Sequence, residues 1–296
     1  MNAQHNHPFP SHSDGAIDEF ESIFKRAERT PYQFSDLPLG SITVVTDGDR
    51  QTADTLTLDI KRFFPYIANT AQWNIVTGDQ FHNVNDLLRV LDGSKPDLIA
   101  TSRCLGESSL VPQHTLGVYV DVMTQTLSTP LLLLPGTAPQ PRSLADTTCS
   151  RVMVVTDNLT GDDRLVNRAV SFCDPNGTLW LCHVEDDLLF RRYLDAIRRI
   201  PQINTEQAQE LITEQLVAIP THYAESCRKG LREAGVDLTV EQIVEFGHRV
   251  ARYRDLVARH SVDLLVTNTK DQDQLAMHGM AYALSVELTE VTQLLL

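Results

Sequence analysis

The chain has 296 residues, 42% hydrophobic and 22% charged, a globular composition long enough for two domains with separate cores. Its 25 basic and 39 acidic residues give a formal charge of −14, which argues against nucleic acid or an anionic membrane surface as the main partner. The longest apolar runs, Leu131 to Leu134 and Leu294 to Leu296, have strand length, well short of the roughly 18–20 residues that cross a bilayer.

The first residues lack the charged-then-apolar plan of a secretory signal, and residues 1–12, with three His and two Pro, are expected to be without fixed structure. His5, His7 and His12 therefore predict no metal site. Asp14 can cap a helix from Ala16 to Arg29 that carries Ile17, Phe20, Ile23, Phe24 and Ala27 on one face. That helix is expected to fold back over the first half of the chain or, as a rival reading, to dock a partner. The five cysteines include no C-x-x-C and read as reduced thiols of a cytoplasmic protein.

From residue 41 onward the chain repeats. Ser41 to Asp47 (SITVVTD) matches Arg151 to Asp157 (RVMVVTD), each a β-branched run of the kind that forms a doubly buried parallel strand. Asp97 to Ser102 (DLIATS) matches Asp263 to Asn268 (DLLVTN), and Leu131 to Leu134 matches Leu294 to Leu296. A strand at Trp73 to Gly78, followed by a helical face of Val84, Leu87, Leu88 and Leu91, has its counterpart in Leu238 to Gly247 followed by Val250, Tyr253 and Val257. Such alternation predicts βαβ units and parallel sheets.

The halves differ in length. Asp97 follows Asp47 by 50 residues, whereas Asp263 follows Asp157 by 106. The surplus holds a strand, Thr178 to Val184, and a helical stretch from Asp187 to Ala234. Pro201 and Pro220 are expected to divide that stretch, with Asn204 restarting a helix. The organisation predicted is a tail and amphipathic helix over 1–36, a shortened α/β domain over 37–136, a Pro-rich linker over 137–148 and a complete α/β domain over 149–296. Each domain is expected to be a doubly wound parallel sheet, the two packing as a pseudo-dimer. The apolar strands that close each half are the candidate contacts.

The order strand–helix–strand–long helix–strand–helix–strand–helix–strand in 149–296, with Val-Val-Thr-Asp157, Asp263 to Asn268 and the closing apolar strand, resembles the universal stress protein family. The first half matches it at Asp47, at Asp97 to Arg103 and at Thr129 to Leu134. The resemblance implies a Rossmann-like fold and a role in stress response. Nucleotide-binding members carry a G-x-x-G-x9-G-[S/T] segment before the last helix, where backbone N–H groups and a helix N-terminus receive phosphate. Here Cys104 and Glu107 fall on the first two glycines, with Gly106 one place off, and Gly117 on the third. In the second half Thr267, Lys270 and Met280 fall there, with Gly279 adjacent.

The residues placed at the carboxyl ends of the strands are Asp47, Ser102 and Gly117 in the first half, and Asp157, His183, Val184, Asn268, Lys270 and Gly279 in the second. Asp47 and Asp157 read equally as helix caps. Asp271, Asp273 and His278 complete a polar crevice able to take a small ligand, His278 being suited to titrate near neutral pH. No Ser-His-Asp, H-E-x-x-H or P-loop pattern occurs, so no enzyme, no metal and no resident cofactor are expected. Binding of a protein partner or small ligand is the expected role, with ATP or AMP at the second domain as the alternative. A homodimer of the whole chain is left open.

Overall fold

The computed structural model describes residues 31–107, 115–136, 144–156, 161–269, 277 and 279–296. The predicted helix over 16–29 lies outside them. Nine strands form one sheet: β1 (Ser41–Val45), β2 (Gln72–Val76), β3 (Leu98–Thr101), β4 (Leu131–Leu133), β5 (Arg151–Val155), β6 (Thr178–Asp186), β7 (Thr239–Gly247), β8 (Leu264–Thr267) and β9 (Thr292–Leu295). Their order is β2-β1-β3-β4-β9-β8-β5-β6-β7. Every neighbouring pair is parallel except β4 and β9, which run antiparallel with Leu131 opposite Leu295, Leu132 opposite Leu294 and Leu133 opposite Gln293.

The α/β class and the parallel ladders are those read from the sequence. The two sheets expected in tandem are joined into one. The physical reason lies in the closing strands, which would otherwise leave two apolar edges unpaired. The matched aspartates also share a role. Asp97 Oδ2 accepts from the backbone N–H of Gly40 and Ser41, both at 2.9 Å, and so fixes the entry to β1. Asp263 Oδ2 accepts from Arg151 N at 2.9 Å at the entry to β5, and its Oδ1 takes Arg151 Nη2 at 2.7 Å. Short side-chain acceptors holding neighbouring strand starts explain why Asp precedes both runs.

The helices are α1 (Arg50–Phe63), α2 (Pro65–Ala68), α3 (Val84–Ser94), α4 (Val118–Thr126), α5 (Asp163–Phe172), α6 (Asp187–Ile197), α7 (Thr205–Glu233), α8 (Arg249–Arg259) and α9 (Gly279–Glu287). None of them is long and apolar enough to cross a membrane. The chain turns at Pro201, and Asn204 Oδ1 caps α7 by accepting from Glu206 N and Gln207 N at 3.1 and 3.2 Å. Pro220, expected to end a helix, lies inside α7. The buried Tyr223, Ala224, Cys227 and Leu231 hold the helix on the sheet beyond it, and that packing outweighs the roughly 3 kcal/mol an interior proline costs.

The shortened half also differs from its reading. β2 was matched to the strand at 238–247 but pairs directly with β1, the place β6 takes beside β5. With no intervening strand, the open edge of β1 is what β2 can reach, so the counterpart missing from the first half is the outer strand and the long helix.

One core cluster runs through both halves on one face of the sheet. Ile42, Val44 and Leu132 continue into Leu294, Val266 and Val152, beneath Phe63 of α1 and Leu165 of α5. Phe64 meets Phe172 edge to face at 5.1 Å across the junction. On the opposite face one cluster lies under α3 and α4 and takes in Leu295 of β9 with Tyr282 and Val286 of α9, and another lies under α8 and α9. There Arg103, at the end of β3, donates to the carbonyls of Ser285 and, at 3.2 Å, Leu288, placing a cation on the C-terminal end of α9. Burial pulls its guanidinium down to about 10.

Residues 32–37, ahead of β1, cross to the second half. Tyr32 is buried and donates its hydroxyl to Asn167 of α5, and its backbone N–H donates to Ser226 Oγ of α7 at 2.7 Å. Gln33 N donates to Asp163 Oδ2 at 3.0 Å, and Arg168 Nη1 reaches Leu37 O at 2.9 Å. Gly230 is required beneath it, since a Cβ there would sit 2.7 Å from the Tyr32 ring.

Leu294→Ala removes a fully buried side chain from the junction, and we expect it to cost about 2–5 kcal/mol. Leu58→Ala, on the exposed side of α1, should shift stability by less than about 0.5 kcal/mol. Urea unfolding of both variants measures the contrast, and equal losses would contradict the shared core.

Candidate functional site

In the first half the candidate residues converge at the carboxyl ends of β1 and β3. Cys104 takes a left-handed φ of 52° and Gly106 one of 72°, so the loop keeps the turn that glycine favours although a cysteine stands at the first position. Gly117 has φ 89°, and a Cβ on it would lie 2.7 Å from Cys104 Cα. That contact requires glycine there. Cys104 N donates to Leu116 O at 2.8 Å and closes the loop on the residue before Gly117.

The group at the start of α4 is Glu107. Its Oε1 accepts from Val118 N at 2.6 Å. A helix N-terminus offers unpaired N–H groups and a positive dipole end, and here the chain's own carboxylate takes the first of them. Asp121, in the first turn of the same helix, has its carboxyl pushed above the usual range by burial and then by the neighbouring Glu107. Cys104 is raised as well, chiefly by burial with Glu107 adding to it, so this thiol is not activated by the helix.

Asp47 does not cap α1, which Asp49 caps through Thr52 N at 2.9 Å. Asp47 Oδ2 accepts instead from Gly106 N at 3.1 Å and ties the end of β1 to the loop after β3. Ser102, half-buried, follows β3 at the same place.

In the second half Asp157, Lys270, Asp271, Asp273 and His278 lie outside the described residues. Asn268 donates its amide to Asp162, whose other oxygen caps α5 by accepting from Leu165 N at 3.0 Å. This pair spans the gap between the ends of β5 and β8 as Asp47 and Gly106 span β1 and β3. Val184 belongs to the core under α8, and its N–H donates to Tyr253 Oη at 2.9 Å. His183 is the next residue on β6 and faces the opposite side, with Leu181. It is buried, with Nε2 3.0 Å from Glu185 Oε2 and Nδ1 without a partner among the described residues. His183 and Val184 therefore face opposite sides of the sheet. Gly279 opens α9 and is exposed.

Asp162, Tyr253 and Glu107 matter here, and the sequence reading did not assign them these roles. The turn Gly161-Asp162-Asp163 before an apolar run is a helix-start signal that could have found the first. The other two depend on which loops meet.

No family model matches the sequence, and no curated protein matches it. Among solved structures, the chain is similar to a functionally unknown protein of Pseudomonas aeruginosa PAO1 at 12% identity and a TM-score of 0.47, over 87% of this chain and 92% of that one. It is also similar to a universal stress protein of Archaeoglobus fulgidus DSM 4304 at 10% identity and a TM-score of 0.46, over 86% and 85%. At these values the likeness assigns neither ligand nor activity.

Because the folded state binds the Asp121 proton more tightly than the unfolded chain does, Asp121 favours folding at low pH and loses that contribution as pH rises through its folded value. We expect the stability of Asp121→Asn relative to the parent to be greater at pH 7 than at pH 3.5. Glu107→Gln should lower the Asp121 titration midpoint in carbon-detected NMR. A midpoint unmoved by Glu107→Gln would show that the two carboxylates are not neighbours.

Proposed function

We propose that this chain is a non-enzymatic member of the universal stress protein family, serving in stress response or its regulation by binding a protein partner or a small ligand. The observation that carries this reading is the Glu107 carboxylate on the first N–H of α4. In a phosphate-binding relative the same N–H groups would face the anion, and a carboxylate already there repels a second negative charge. The β5-to-β9 half supports the family assignment by its element order, with the long α7 between its second and third strands. The Asp162–Asn268 and Asp47–Gly106 ties weigh against an anion at either crevice, since each puts a carboxylate across the strand ends where a doubly wound sheet offers its crevice.

Adenine nucleotide bound through the second half is the competing reading. The test is to denature freshly purified full-length protein and assay the extract for bound nucleotide by chromatography and mass spectrometry. We expect no stoichiometric ATP, ADP or AMP and no change in Tm on adding them. A ligand at a hundred times its Kd would stabilise the protein by about 2.7 kcal/mol, well within reach of a thermal melt. Near-stoichiometric nucleotide would overturn the proposal.

A further inference from the structure

Residues 31–37 form an extended strap with no strand or helix of their own, and side chains of the second half hold it. Four of those side chains reach its backbone. Tyr32 N donates to Ser226 Oγ at 2.7 Å and Gln33 N to Asp163 Oδ2 at 3.0 Å. Gln33 O accepts from Asn167 Nδ2 at 3.1 Å, and Leu37 O from Arg168 Nη1 at 2.9 Å. Ser226 belongs to α7 and the other three to α5, so the strap fills a groove between these helices. Hydrogen bonds to a peptide backbone hold an extended segment whatever its sequence, and pockets for particular side chains then select among sequences.

One such pocket is present, and it takes a tyrosine. Tyr32 is 5% exposed, whereas Gln33, Ser35 and Asp36 are exposed and Phe34 and Leu37 half-buried. Glycine is unfavourable inside a helix, yet Gly230 of α7 lies under the Tyr32 ring, where a Cβ would come within 2.7 Å of it. The ring meets Tyr223 edge to face with centroids 6.4 Å apart. Its hydroxyl donates to Asn167 Oδ1, so the buried Asn167 amide gives both its ends to the strap. Asp163 turns its other oxygen to the Tyr223 hydroxyl, at 2.7 Å. A pocket whose polar atoms accept hydrogen bonds receives a phenol hydroxyl and turns away an anion. With a single buried anchor, the strap hides little surface from water, and water can replace its backbone bonds when it leaves.

We propose that the groove between α5 and α7 recognises an extended segment of a partner protein bearing an unphosphorylated tyrosine, and that residues 31–37 occupy it as a built-in competitor. The strap seated there shows the chemistry of the occupant. A partner places its tyrosine over Gly230 with the hydroxyl on Asn167, and Ser226, Asp163 and Arg168 take its backbone. Tethered beside its own groove, the strap has an effective concentration on the order of millimolar, so it masks the site until a partner displaces it. This deepens the partner-binding reading and rests on it, and the two fail separately: the groove can refuse a peptide while the purified protein still carries no nucleotide.

A labelled peptide copying residues 31–38, titrated into the full-length protein and followed by fluorescence anisotropy, tests the proposal. The parent should bind it weakly because the strap competes, and Tyr32→Ala should bind it at least about tenfold more tightly. Tyr32→Phe keeps the ring over Gly230 and loses only the bond to Asn167, so it should fall between them, and it serves if Tyr32→Ala does not fold. Asn167→Leu added to either variant should remove the gain. Peptides with alanine or phosphotyrosine in place of the tyrosine should not bind. Absence of binding to the parent and both Tyr32 variants would overturn the proposal, as would equal affinity for all three. Equal binding of the alanine or phosphotyrosine peptide would do the same. A parent that dimerises with concentration in light scattering, and no longer does so as Tyr32→Ala, would identify the strap of a second copy as the occupant and would also overturn it.

Discussion

The antiparallel contact between β4 and β9 is the constraint on which the rest of the molecule depends. It is short, three paired positions, yet each is buried and each sorts its side chains to a defined face. Leu132 and Leu294 enter the core that spans both halves, whereas Leu131, Leu133 and Leu295 enter the core under α3 and α4. A slip of one residue would send these side chains to the wrong faces, so the register is fixed by burial as well as by hydrogen bonds. Once it is set, α1 and α2 lie next to α5, Phe64 meets Phe172, and Arg103 reaches the end of α9. Gln293, opposite Leu133, is buried in this contact and turns its Nε2 to Leu288 O at 2.7 Å, the same carbonyl that Arg103 uses. Polar groups that share one acceptor at the junction make it specific for this pairing of halves.

A second consequence concerns the crevices. In both halves a carboxylate crosses from one side of the strand-end gap to the other, Asp47 to Gly106 and Asp162 to Asn268. In the first half the first N–H of α4 is taken as well, by Glu107. These hydrogen bonds satisfy backbone and amide groups that would otherwise await a ligand. The fold by itself does not give the function.

Much of the architecture was legible in the sequence because it rests on local patterns. The SITVVTD and RVMVVTD runs became β1 and β5, the DLIATS and DLLVTN runs became β3 and β8, and Asn204 capped α7. The errors arose where tertiary contacts decide. Pro220 stays within α7 because the buried residues that follow it hold the helix on the sheet, and β2 takes the place beside β1 because no other strand claims it. Tyr32 gave no periodic signal, since a single anchored residue in an extended strap has none. The site was less legible than the fold. Glu107 was readable as a poor neighbour for phosphate, but its bond to Val118 N required knowing how the loop closes. His183 and Val184 are adjacent in sequence and therefore face opposite sides of a strand, a point the strand period alone could have supplied.

The central claim is that the two halves form one cooperative unit through the shared core. Each half carries one tryptophan, Trp73 on β2 and Trp180 on β6, so fluorescence of Trp180→Phe and Trp73→Phe variants reports the unfolding of each half separately. The account predicts coincident urea midpoints and equal slopes for the two reporters once each is corrected for the stability of its own variant. Two separated transitions, with the Trp73 signal lost while the Trp180 signal persists, would contradict it.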